Sequence, residues 1–156
     1  MKSELEIRLN RETAVVLRRA CDQAGVRETG GMLFGEHVKE SAFLVLDATV
    51  QAVGLFASFV RVMKDGISKL EGFFRRTRYE FTRFNYLGEW HSHPSFALRP
   101  SPTDDATMRA LVEEPSTGAL FVVLLIVKLE SDRLRARAWA YFPLSTRQTC
   151  IVTTEE

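Results

Sequence analysis

The chain has 156 residues, 46% of them hydrophobic, enough for one globular domain with a single core. Its 21 basic and 20 acidic residues leave a formal charge of +1, so no global field points to nucleic acid or to an anionic membrane. The charged, alternating stretch Met1–Asn10 is not a signal peptide, and the most apolar run, Ala119–Val127, is too short to span a bilayer, so a cytoplasmic protein is expected.

Leu5, Ile7 and Leu9 alternate with charged residues and predict a first edge strand. Asn10 is placed to cap a helix over Arg11–Ala24, which Gly25 ends. Cys21 on that helix reads as core. It and Cys150 have neither metal nor redox spacing, and reduced thiols are expected. Gly30 and Gly31 open an apolar strand, Met32–Val38, and permit close backbone approach. Glu28, just before them, reads on these grounds alone as a solvated loop acid. Ala42–Val50 predicts a strand paired with Met32–Val38, with His37 a surface residue near the turn.

The stretch Gln51–Gly66 mixes Phe56, Phe59 and Val60 with Ser58, Arg61, Lys64 and Asp65. It reads either as a strand with a mobile loop or as a plain connection with Phe59 buried. Ile67–Phe84 places Leu70, Phe73, Phe74 and Phe81 among arginines, the pattern of an amphipathic helix with a solvated basic face. A helix over Pro102–Glu113 follows the strand Tyr86–His93. Two antiparallel strands, Ala119–Leu129 and Arg133–Tyr141, are joined at Glu130-Ser131-Asp132. Arg133, Arg135 and Arg137 alternate with Leu134 and Ala136, so one face of that last strand is wet. Pro143–Glu156 reads as a fraying tail.

Tyr86-Leu87-Gly88-Glu89-Trp90-His91-Ser92-His93-Pro94 holds two of the three histidines. Alternate residues of a strand share a face, so His91 and His93 project together. Pro94 places them at a strand end. Ser101-Pro102-Thr103-Asp104 is a helix-start signal that puts Asp104 in the first turn. Two imidazoles and one carboxylate match a catalytic zinc site with three protein ligands and an open fourth position.

The full pattern is His-x-His, seven residues, Ser, two residues, Asp. It resembles the JAMM metalloprotease family, also called the JAB/MPN domain, in its bacterial stand-alone form. The resemblance implies zinc held by His91, His93 and Asp104. It gives Ser101 the role of polarising the substrate carbonyl. Glu28, before the Gly-Gly strand, takes the role of the family's water-activating glutamate. It also implies cleavage after the C-terminal tail of a ubiquitin-like protein or its conjugate, in a conjugation or antiphage setting. Some related bacterial proteins carry a segment like Ser58-Phe59-Val60-Arg61 beside the cleft, and Phe59 and Arg61 are expected near a groove for an extended tail.

The expected architecture is one α/β domain over residues 1–156, a curved, mostly antiparallel sheet flanked by helices. Two alternatives stay open: trimming of a sulfur-carrier protein's C-terminus, and a non-catalytic MPN scaffold, although scaffolds typically lack some of the metal residues. Neither nucleic acid nor a membrane is expected as a partner, and the oligomeric state is not legible.

Overall fold

The computed structural model describes residues 4–51, 59–115 and 119–155, with 59–67 by their backbone alone. Among the described residues seven strands and three helices follow one another. They are β1 (Glu6–Leu9), α1 (Arg11–Ala24), β2 (Gly30–Lys39), β3 (Ala42–Ala48), α2 (Phe59–Arg76), β4 (Phe84–Ser92), α3 (Pro102–Glu113), β5 (Val122–Glu130), β6 (Arg133–Tyr141) and β7 (Gln148–Thr154). Several boundaries fall where local chemistry puts them. The Asn10 side chain accepts from the Thr13 N–H at 2.8 Å and caps α1, and Gly25, at φ 62°, ends it. Ser131 and Asp132, both at positive φ, make the β5–β6 turn.

The curved, mostly antiparallel sheet flanked by helices that the sequence led us to expect is not what forms. The strands close into a barrel in the order β1-β3-β2-β4-β5-β6-β7. Three of its pairings are parallel, β1 with β3, β1 with β7 and β4 with β5. The segment read as a fraying tail closes it: β7 pairs with β6 on one side and with β1 on the other. Strand β1 is therefore not an edge, because its backbone groups are satisfied on both sides. Strand β7 buries little, only Cys150 and Val152 turning partly onto the core, so its sequence carries no strong apolar alternation.

A second correction concerns the middle of the chain. Helix α2 begins at Phe59, not Ile67, and ends at Arg76, well short of Phe84. Arg78 and Tyr79 take left-handed φ values of 57° and 59°, and the Tyr79 N–H closes back on the Phe74 carbonyl at 2.8 Å. That is a helix ending of the kind glycine usually makes. The strand reading therefore fails from Phe59 onward, while residues 52–58 and the side chains of Phe59 and Arg61 lie outside the described residues.

Helix α1 packs Leu17, Ala20 and Cys21 against Leu9, Val45, Leu125 and Val127. Burial pushes the Cys21 thiol up to about 11, the reverse of what a reactive cysteine needs. Helix α3 covers the neighbouring face, with Met108, Leu111 and Val112 against Leu124, Ile126 and Trp139. Strands β2 and β4 meet with Gly30 opposite His91 and Gly31 opposite Trp90. A Cβ on Gly31 would lie 2.0 Å from the Thr49 carbonyl oxygen, whose partner is the Trp90 indole N–H at 2.8 Å. Gly31→Ala is therefore expected to destabilise the protein by at least about 2 kcal/mol, a fall in Tm of at least roughly 4–8 °C by calorimetry. A melt within a degree of wild type would show that this approach is not tight. Among the described residues no helix is long and apolar enough to cross a membrane.

Candidate metal centre

The candidate site forms where the C-terminal end of β4 meets the N-terminus of α3. His91 and His93 emerge from β4 and its end, and Asp104 sits in the first turn of α3. Ser101 caps that helix in both directions. Its hydroxyl accepts from the Asp104 N–H at 3.0 Å, and its own N–H donates to Asp104 Oδ2 at 2.9 Å. This capping box fixes the carboxylate beside the histidines. Asp104 Oδ1 lies 3.1 Å from His91 Nδ1, and Asp104 Oδ2 lies 3.2 Å from His93 Nε2. The other His93 nitrogen, Nδ1, meets the Ala97 carbonyl at 3.1 Å. His91, His93 and Asp104 are only 7%, 5% and 9% exposed, so three polar side chains are held together out of bulk water.

Their charges respond to one another. Burial opposes protonation of His91, yet the hydrogen bond to Asp104 and the nearby charges of Glu89 and Asp104 outweigh it and raise its pKa to about 9. His93 is raised first by its hydrogen bond to Asp104, against burial, and the charge of Glu28 adds to the rise. Burial pushes Asp104 upward, but hydrogen bonds from His91 and His93 prevail and hold it well below the ordinary carboxylate range.

Among the described residues no group of three or more His, Cys, Asp or Glu side chains stands as a ready-made metal cage. Both Asp104 oxygens point at imidazole nitrogens, so atoms that would face a metal face each other. The donor set itself fits a zinc ion, being two imidazoles and a carboxylate on rigid elements.

Glu28 is exposed and lies one residue before a tight junction with β4. Thr29 exchanges two hydrogen bonds with Ser92: its N–H donates to Ser92 Oγ at 2.9 Å, and the Ser92 N–H donates to its carbonyl at 2.8 Å. The residue between the histidines thus ties the Glu28 segment to the site. Reading the sequence alone missed this role, because Ser92 points away from the histidine face and its partner is set by the β2–β4 register.

Glu89, two residues before His91 and so on its face of the strand, was legible as a rival to Glu28 for the role of base, but its burial was not. It is 1% exposed, with Oε2 3.8 Å from His91 Nε2 and no hydrogen-bond partner for Oε1 among the described residues. The Tyr86 hydroxyl, also buried without such a partner, is pushed well above its ordinary value by burial and by the charge of Glu89. A buried polar pocket therefore backs His91 from the core side. His37 lies far from this chemistry, exposed and stacked on Phe43 at 4.5 Å.

A small barrel of mixed strands with a His-Asp-His cluster at the junction of a strand end and a helix start defines the class of protein. The chain belongs to the prokaryotic homologs of the JAB domain, whose profile matches residues 11–141. It is 30% identical over 108 residues to the CD-NTase/cGAS isopeptidase of Enterobacter hormaechei subsp. hoffmannii (strain UCI 50). The matched region is 69% of this chain and 58% of that protein, so the chain spans little more than half the length of that relative. The solution structure of protein DSY2949 from Desulfitobacterium hafniense matches with a TM-score of 0.66 at 18% identity, covering 96% of this chain and 93% of that one. At that identity the likeness is one of fold.

Proposed function

We propose that this chain is a zinc-dependent isopeptidase of the JAMM type, cleaving after the C-terminal tail of a ubiquitin-like protein. The observation that carries the reading is the convergence of His91 and His93 on Asp104, each with a ring nitrogen within 3.2 Å of a carboxylate oxygen, beside a segment bearing an exposed Glu28. Family membership and the relative named as an isopeptidase support it. That relative's name, an isopeptidase, also fits a conjugation setting.

His91, His93 and Asp104 would hold the zinc, which when bound supplies Lewis acidity to the carbonyl and to water. Glu28 takes the proton of the attacking water and returns it to the leaving amine. The Ser101 hydroxyl already accepts from the Asp104 N–H, which leaves its own hydrogen to donate to the developing oxyanion. Glu89 stays buried behind His91 and keeps the imidazole oriented, as carboxylates behind metal-ligating histidines do.

The test uses purified protein and a ubiquitin-like protein extended at its C-terminus. Cleavage directly after the native tail is expected, lost on chelation and restored by zinc. Cleavage that persists in chelator, from protein shown by metal analysis to hold no zinc, would sink the metal reading.

A further inference from the structure

The face of the barrel that carries the histidines continues across two more strands. His91 is opposite Ile126 on β5, and Ile126 is opposite Arg137 on β6. The His93 N–H donates to the Val127 carbonyl, continuing the β4–β5 ladder towards Lys128, which is opposite Arg135. Directly paired residues share a face, so each histidine row runs into a basic side chain roughly 10 Å away, two strand spacings across. Helix α3 covers Ile126 and Trp139 on this face but not the arginines. Arg133, Arg135 and Arg137 are exposed at every second position of β6.

Few acids answer them. Arg135 pairs with Glu130 at 3.5 Å, with both side chains about 60% exposed. Among the described residues Arg133, Arg137 and Lys128 have no ion-pair partner. The Arg137 guanidinium lies over the Trp139 ring, 5.2 Å from its centroid, so its position is held before any ligand arrives. A chain with a formal charge of +1 thus concentrates four cations, three of them without an ion-pair partner among the described residues, on the adjacent strands β5 and β6 beside its candidate site.

We propose that Lys128, Arg133, Arg135 and Arg137 form a docking strip for an acidic, extended segment of the protein substrate. The proposal rests on the hydrolase reading only for calling the bound segment a substrate. Arginines two apart on a strand are roughly 7 Å apart, the repeat of alternate side chains in an extended peptide. Nucleic acid fits less well. The strip offers no exposed aromatic face for a base, since Trp139 is buried, and the chain as a whole is nearly neutral.

Fluorescence anisotropy with a fluorescein-labelled peptide of alternating Glu and Gly tests this on zinc-free protein, so the answer does not depend on whether the chain is a protease. Saturable binding is expected, weakened by added NaCl and by at least about tenfold in R135E/R137E. The milder R135Q/R137Q, with circular dichroism matching wild type, is expected to fall between the two. A Lys-Gly peptide should not bind. Absence of binding to the acidic peptide, binding indifferent to both double variants, or tighter arginine-dependent binding of a single-stranded oligonucleotide would each overturn the proposal.

Discussion

Glu28→Gln is expected to keep the fold and any bound zinc yet lose cleavage by at least roughly a hundredfold, the scale of a general base. The rival carboxylate is Glu89, closer in sequence to the histidines and on their face of β4. The two differ most in access. Glu89 is 1% exposed and lies on the core side of His91, whereas Glu28 is exposed. A base must exchange its proton with water and with a departing amine, which a sealed carboxylate does poorly. Glu28 also sits within electrostatic reach of His93, and the Thr29–Ser92 pair anchors its segment to β4. Glu89→Gln should act differently, loosening His91 and weakening zinc binding while retaining much of the activity at saturating zinc. Metal analysis and cleavage of a ubiquitin-like fusion separate the two variants. Full activity in Glu28→Gln beside a dead, zinc-loaded Glu89→Gln would exchange their roles.

His91→Ala and Asp104→Ala are expected to abolish stoichiometric zinc. Two remaining protein ligands rarely hold zinc tightly, and the loss should exceed the roughly 10–100-fold that removal of an outer-shell partner brings. Asp104→Ala carries a further consequence, because the same carboxylate closes the capping box with Ser101. It should therefore also lower stability by about 1 kcal/mol, whereas the zinc defect of His91→Ala need not share that origin. Asp104→Asn separates the effects, since it keeps a side-chain acceptor for the Ser101 N–H but removes the charge. Metal content by mass spectrometry, read beside a thermal melt, distinguishes them. Full zinc occupancy in His91→Ala would remove it from the ligand set.

The two motifs of the candidate site were legible because their signals are local. Alternation on a strand puts His91 and His93 on one side, and the Ser-Pro-x-Asp start puts Asp104 in a first helical turn. Asn10 and Gly25 bound α1 for equally local reasons, a side-chain cap and a left-handed residue. What the sequence by itself determined was therefore the candidate residues, their family and most element boundaries. Closure of the barrel was decided only in three dimensions. Strand β7 is held by backbone bonds to β6 and β1, and backbone pairing leaves no side-chain signature. The burial of Glu89, the Thr29–Ser92 tie and the rows joining the histidines to Arg135 and Arg137 depend likewise on strand register. Register is set by partners distant in the chain, and a shift of one residue would turn each of these side chains to the opposite face.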